Sequence, residues 1–273
     1  MARSLNFAQA MAQDILTRRR KALWRPFVRG IRQYRLIEPG DRIAVCVSGG
    51  KDSMLLAVLM GMLQSHFEAP FEVVNLVMDP GYLPEHRRRI EENARRLDIA
   101  YTLIESDVFE AASAQERHPC FLCARMRRGC LYRHARDMGC NKIALGHHFD
   151  DVVETTLMAM LYGGQIQAMP PMLSADHFSG MRLIRPMYRL READIVSWRD
   201  DYGLSFLQCA CRMTRAPEDS RRLYVKNLIR QLDADHPKVS RNIFNAVHTA
   251  QIDTLVGWKH RGIEHSFLEN LED

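Results

Sequence analysis

Ser48-Gly49-Gly50-Lys51-Asp52-Ser53 brings together the residue types that hold and activate a phosphate. Paired glycines let the backbone come close to an anion, and the free N–H groups of a following helix point at it. Ser48 and Ser53 can cap or donate, Lys51 adds a positive charge, and Asp52 can hold a divalent cation against the phosphates. The Walker pattern G-x-x-x-x-G-K-[ST] cannot be written over these residues. A turn serving packing alone would explain Gly49 and Gly50 but not Lys-Asp-Ser. A second polar turn, Gly146-His147-His148-Phe149-Asp150-Asp151, offers two carboxylates for Mg²⁺ or nucleotide positioning and two imidazoles for phosphate or a reacting base. One His and one Asp there would serve equally well as helix caps.

The cysteines suggest a second kind of chemistry. Seven of them, an odd number without a secretion signal, favour metal or redox use over a disulfide framework. Cys120-x-x-Cys123 reads as a loop just ahead of a helix, a position that lowers thiol pKa values. Cys209-x-Cys211 follows the apolar Phe206-Leu207. The two pairs are compatible with a Cys₄ zinc site or a three-cysteine iron–sulfur site, and the tight C-x-C spacing weakens zinc. Cys46, Cys130 and Cys140 sit in strand or helix contexts and read as core.

Elements must position these groups. Ile43–Val47 reads as a buried strand and Met54–Phe67 as the helix after the loop. Phe71–Met78, Tyr101–Ile104, Lys142–Leu145 and Leu183–Ile184 read as further strands. Pro84–Leu97, Arg125–Met138, Phe149–Tyr162 and Glu192–Asp201 read as helices, with Ser106–Glu116 weakly helical. This alternation predicts a doubly wound α/β fold, a mostly parallel sheet with helices on both faces. Both polar turns then fall at carboxyl ends of strands, the edge where such sheets bind ligands. The expected organisation is a basic helical segment over 1–40, an α/β domain over 41–205, and a helical segment over 206–273 with helices at Ser220–Leu232 and from Pro237 to about His260.

Composition is that of a soluble globular protein: 47% apolar, 26% charged, with no signal-peptide core and no apolar run long enough to span a membrane. A cytoplasmic location is expected. The net charge of +5 is uneven, since residues 1–40 carry nine Lys or Arg against Asp14 and Glu38. Arg18, Arg25, Arg29 and Arg32 recur at 7, 4 and 3 and are expected on one helix face. Arg125, Arg127 and Arg128 follow the first cysteine pair, and Arg221, Arg222, Lys226 and Arg230 follow the second. One such run is ordinarily a solvated face; three beside one ligand edge suggest RNA phosphate.

Ser-Gly-Gly-Lys-Asp-Ser after a buried strand resembles the pyrophosphatase loop of the N-type ATP pyrophosphatases, which cleave ATP between the α and β phosphates and leave AMP on a substrate. Further matches are Cys120-Phe-Leu-Cys123, Arg127-Arg128-Gly129, Lys142-Ile-Ala-Leu-Gly-His-His-Phe-Asp-Asp151, Tyr162-Gly-Gly164, Met169-Pro-Pro171 and Ile184-Arg-Pro186. With them, residues from about 27 to 230 resemble the tRNA 2-thiocytidine biosynthesis family. The resemblance implies an enzyme that adenylates C2 of an anticodon-loop cytidine, usually position 32, and replaces its oxygen with sulfur. The implied cofactors are ATP, Mg²⁺ and a [4Fe–4S] cluster on three cysteines. Carried over, Ser48, Gly49, Gly50, Lys51, Asp52, Ser53, Gly146 and His147 bind ATP. Lys51, Asp52, Asp150 and Asp151 are catalytic, and Asp52 takes Mg²⁺. Cys120 and Cys123 are two cluster ligands and Cys209 the third, with Cys211 the alternative because the family's usual C-x-x-C is C-x-C here. Arg25, Arg29, Arg125, Arg127, Arg128, Arg221 and Arg222 are expected at the tRNA. Expected partners are tRNA and a cysteine desulfurase or other sulfide donor, with no membrane; a homodimer is left open.

Rival readings share parts of this pattern. A lysidine- or 2-thiouridine-type enzyme would use the same loop, the lysidine type without needing Cys120 and Cys123. A sulfonucleotide reductase needs a nucleophilic cysteine near the C-terminus, and none follows Cys211. A non-catalytic tRNA-binding module with structural zinc would explain the cysteines alone.

Overall fold

The computed structural model describes residues 5–106, 119–175, 177–207 and 217–271. Two compact units are present. The first takes Met1–Val152 and Pro170–Ser220, the second Val153–Met169 and Arg221–Asp273.

The centre of the first unit is β1 (Arg42–Val47), buried at every position after Arg42. Such a continuous apolar run suits a strand covered on both faces. It pairs in parallel with β2 (Glu72–Asp79) on one side and β4 (Lys142–Ala144) on the other. With β3 (Thr102–Glu105), β5 (Met172–Ser174) and β6 (Arg182–Ile184), the order is β3-β2-β1-β4-β6-β5. Only β5, at the edge, runs antiparallel. The doubly wound expectation therefore holds. The chain turns to opposite sides of β1 for β2 and β4, which makes the carboxyl ends of β1 and β4 the switch point where a ligand crevice opens.

Helix α3 (Lys51–Gln64) follows β1 directly and buries Met54, Leu55, Leu56, Ala57, Leu59, Met60 and Leu63. A helix apolar on most of its surface belongs in a core. The N-terminal segment enters the same core. Met11 and Ile15 of α1 (Phe7–Leu16), Leu23, and Phe27 and Ile31 of α2 (Arg25–Gln33) cluster with Val45, Leu56 and Trp198. A π-helical turn, Arg20–Trp24, joins α1 to α2. Helices α4 (Pro84–Arg96), α5 (Pro119–Asp137) and α7 (Glu192–Asp201) complete the layers, and α6 (Phe149–Gly163) begins in this unit and continues into the second. At the amino ends of the strands, buried Lys142 donates to Asp41 at 2.6 Å, Glu38 at 3.0 Å and the Leu36 carbonyl. That cation is an internal tie and takes no part in the crevice.

Two expectations are corrected. Helix α5 begins at Pro119, so Cys120 and Cys123 lie in its first turns and not in a preceding loop. Proline is well suited to a first helical position, and Cys-Phe-Leu-Cys-Ala contains nothing that breaks a helix. Helix α8 (Pro217–Asp235), in the second unit from Arg221 on, is followed by α9, which runs only from Val239 to Ala246. β7 (Gly257–His260) and β8 (Ile263–Ser266) then form a hairpin where a helix was expected. Its two turn residues, Arg261 and Gly262, have φ of 51° and 84°, the pair of positive angles that matches strand twist. The expected helix over Ser106–Glu116 lies outside the described residues from 107 onward.

Candidate active site

The loop after β1 is built around one serine. Ser53, 6% exposed, accepts a hydrogen bond from the Ser48 amide at 3.1 Å and donates to the Gly50 carbonyl at 3.0 Å. Gly49 has φ +83°, and a Cβ there would come within 2.7 Å of Ile90. Gly50 is the N-cap of α3 and no side chain caps that helix, so its first-turn amides remain available to an anion.

Lys51 Nζ lies 3.0 Å from Asp52 Oδ2 and 3.2 Å from Glu192 Oε1. Burial opposes its charge, but Asp52 and then Glu192 outweigh burial, and the Lys51 pKa stands above the ordinary lysine value. The other Asp52 oxygen, Oδ1, is buried without a hydrogen-bond partner among the described residues. A buried carboxylate oxygen in that state is suited to a cation arriving with phosphate. No group of three His, Cys, Asp or Glu that could hold a metal occurs among the described residues.

The second turn meets the first in backbone contact. A Cβ on Gly146 would lie 3.0 Å from the Asp52 carbonyl carbon, 3.1 Å from the Ser53 nitrogen and 3.2 Å from the Asp52 oxygen. Asp151 accepts from the His148 amide at 2.9 Å, while His148 Nδ1 lies 3.4 Å from the Asp151 amide, a reciprocal cap on α6. His148 Nε2 lies 3.8 Å from the bare Asp52 oxygen. Asp150 accepts from the Glu192 amide at 2.6 Å and pairs with Arg191 at 3.2 Å, which fixes the start of α7, while its Oδ2 stays 3.8 Å from His148 Nδ1. Asp150 thereby positions Glu192, and Glu192 holds Lys51. His147 is half-buried in the same turn.

The crevice is a cleft of about 800 Å³ lined by Ser48, Gly50, Lys51, Asp52, Glu192 and Arg127, with Leu204 to Leu207 along one wall. That size suits a nucleotide. The wall is held in place: Leu207 donates its amide to the Gly49 carbonyl at 3.1 Å, and buried Asn93 donates to the Ser205 carbonyl at 2.8 Å. Cys209 and Cys211 follow two and four residues after Leu207 and lie outside the described residues. Positions 120, 123 and 127 of α5 recur at three and four and so share one helix face, and Arg127 is a lining residue of the cleft.

The expected RNA-binding arginines separate. Arg127 lines the cleft, whereas Arg125 and Arg128 are exposed on α5. Arg25 and Arg29 line a different groove, beside Arg20 and Arg32. Arg18 is not with them, because it pairs with Asp14 at 2.8 Å and Asp201 at 3.0 Å. The π turn accounts for the exchange: its wide coil stacks Arg20 under Arg25, five residues on, where an ordinary helix would set them far apart. In the second unit, Arg222 bonds buried Glu154 at 2.9 Å, and Arg221 lies 5.3 Å from the Tyr162 ring centre. The Met-Pro-Pro and Ile-Arg-Pro motifs prove to be one structural joint. Arg185 is buried, donates to the Pro170 carbonyl, and has its pKa lowered by burial to about 10. Cys46 is core, its thiol pushed up by burial to about 12.

Sequence reasoning missed Glu192 and the Leu204–Leu207 wall. Neither carries a motif. Their place depends on Asp150 and Asn93, which are distant in sequence.

Residues 18–232 match the PP-loop domain family. The chain belongs to the PP-loop family, in its tRNA 2-thiocytidine biosynthesis branch. It is 36% identical over 240 residues to the tRNA-cytidine(32) 2-sulfurtransferase of Alcanivorax borkumensis, covering 85% of this chain and 82% of that protein. The Nitrosomonas europaea protein of the same name is 34% identical over 258 residues, covering 89% and 80%. The PP-loop fold is also that of the U34-tRNA thiolase from Methanococcus maripaludis, solved with its [4Fe–4S] cluster. That structure aligns with a TM-score of 0.63 at 19% identity, over 89% of this chain and 78% of that one. Among the described residues, no helix is long and apolar enough to cross a membrane.

Proposed function

We propose that this PP-loop protein is an ATP-dependent tRNA sulfurtransferase that converts an anticodon-loop cytidine, at position 32, to 2-thiocytidine. Its relatives are named tRNA-cytidine(32) 2-sulfurtransferases, and a nucleotide-sized cleft at the phosphate loop supports the ATP-dependent reading. The observation that carries the reading is the joint presence of the phosphate loop and Arg127 in one cleft, with positions 120 and 123 on the helix face of Arg127. That spacing supports a reading in which the cysteine pair serves the same cleft as the phosphate loop.

The residues divide the work as follows. The uncapped start of α3 and Lys51 receive the phosphates of ATP, and Lys51 exchanges its bonds to Asp52 and Glu192 for phosphate oxygens. Asp52, through its bare oxygen, would hold Mg²⁺, which neutralises charge building on pyrophosphate. The cytidine O2 attacks the α-phosphorus, the bond to the bridging oxygen breaks, and pyrophosphate leaves. C2 now carries AMP as a good leaving group. Sulfide adds to C2, its proton passes to solvent, and AMP departs with the former carbonyl oxygen. Cys120 and Cys123 with Cys209 (or Cys211) would hold a [4Fe–4S] cluster, which when bound supplies an open iron coordination site for sulfide. Gly146 and the capped turn at His148 keep the second loop against the first, so that base and phosphate meet in fixed orientation. Asp150 and Asp151 serve this geometry as anchors of α7 and α6.

Mass spectrometry of tRNA nucleosides from cells with and without the protein tests the assignment. Loss of 2-thiocytidine is expected. Unchanged 2-thiocytidine with loss of 2-thiouridine or lysidine would overturn it.

A further inference from the structure

The groove between α2 and the far end of α3 has no role in the chemistry above, yet it is strongly basic. It measures about 870 Å³ and is lined by Arg20, Arg25, Arg29 and Arg32 with Trp24 and His66 among them. We propose that this groove binds the sugar–phosphate backbone of the RNA substrate, at a site separate from the cleft. The inference rests on the reading that the substrate is a tRNA.

Charge is the first argument. From Arg18 to Arg35 the sequence holds eight basic residues and no acidic one. Two of them, Arg18 and Arg19, are engaged by Asp14 and Asp201. Of the four in the groove, Arg32 has one exposed partner, Glu68, at 2.8 Å. Arg20, Arg25 and Arg29 have no acidic partner among the described residues. A row of arginines left unneutralised and solvent-facing is suited to a polyanion.

The backbone is the second argument. The π turn is what puts Arg20 and Trp24 in line with Arg25, Arg29 and Arg32. Such turns are rare and concentrate at functional sites. Aromatic surface is the third. Trp24 is half-buried and meets the His66 ring edge-on at 5.9 Å, and His66 is held by a 2.7 Å bond to the Met62 carbonyl. A fixed aromatic pair within an arginine row offers a base or ribose a stacking surface. Distance is the fourth. Lys51 of α3 lies in the cleft and Leu63 of the same helix lines the groove, so the two sites stand about 18 Å apart along its axis at 1.5 Å per residue. One folded RNA can place a base in the cleft and its backbone in the groove.

The test measures binding of an unmodified tRNA transcript by full-length protein across salt concentrations. The variant is Arg20→Gln/Arg25→Gln/Arg29→Gln. Each lost phosphate contact lowers the slope of log K against log salt by about 0.7 to 0.9, so the triple variant should lose about 2 to 3 from that slope. At about 0.15 M salt the affinity should fall on the order of 100-fold, while ATP affinity and Tm stay at wild-type values. The matching triple Lys variant should retain the slope. A Gln variant that keeps wild-type slope and affinity with an unchanged Tm overturns the groove, and an acidic protein surface then becomes its occupant. Should the Gln variant be unstable, a Lys variant with a reduced slope overturns the proposal as well. Wild-type protein that fails to bind tRNA refutes the proposed function itself, which a silent variant alone does not.

Discussion

Gly146→Ala probes whether the two loops must touch. The added methyl would stand 3.0 to 3.2 Å from three backbone atoms of Asp52 and Ser53, none of which can rotate away. Relief requires the Gly146 turn and the phosphate loop to part by a few tenths of an ångström. Forcing one carbon into a packed contact costs about 1 to 3 kcal/mol. If that cost falls on the nucleotide-competent geometry, ATP affinity drops roughly 5- to 150-fold at about 1.4 kcal/mol per tenfold. Titration calorimetry with a non-hydrolysable ATP analogue reads this directly, and thermal melting shows how much falls on global stability instead. Gly61→Ala is the matched control. Gly61 lies in α3, and a methyl added there would meet nothing within 4 Å, so alanine should stabilise the helix by about 0.5 to 1 kcal/mol and leave ATP affinity alone. Gly146→Ala with wild-type affinity and wild-type melting would refute the claim that loop contact sets the site.

Other outcomes follow from the same geometry. Glu192→Gln removes a carboxylate that competes with phosphate for Lys51, so ATP binding should tighten by a few-fold; weaker binding would mean Glu192 contacts the nucleotide itself. The Lys51 pKa is raised above 10.5, so its charge, and the binding that depends on it, should persist through neutral pH and be lost only as pH rises beyond that value; a Lys51-dependent decline in ATP affinity between pH 7 and 9 would contradict the pairing. Asp52→Ala should abolish AMP formation, and sustained turnover would place the cation elsewhere. Burial excludes Cys46 from reagent and pushes its thiol up, so native protein at pH 8 should label with iodoacetamide far more slowly at Cys46 than protein unfolded in urea; equally fast native labelling, read by peptide mass spectrometry, would remove it from the core.

The fold was legible where pattern was strong. The apolar run of β1 and the polar loop after it defined the centre of the sheet, and the expected bounds of α7 coincide with the observed Glu192–Asp201. Elements of weak pattern were missed. β5 has three residues and none of them buried, so it left no alternation to read. The hairpin β7–β8 was hidden by the charged composition around Arg261-Gly262, although that dipeptide is its turn signal. The π turn has no sequence signature, and for want of it Arg18 was placed on a face that Arg20 occupies. Within the site, Lys51, Asp52 and Gly146 were readable from residue type. That Asp150 positions Glu192, and Glu192 holds Lys51, depends on where α7 begins against the second turn, a tertiary fact.

The central claim is that one cleft uses ATP to activate a tRNA base for sulfur. Anaerobically reconstituted protein, incubated with unmodified tRNA, ATP and sulfide, measures it most directly. One AMP and one pyrophosphate should form for each 2-thiocytidine, all three dependent on tRNA. 2-Thiocytidine formed without ATP, or AMP released at full rate without tRNA, would contradict it.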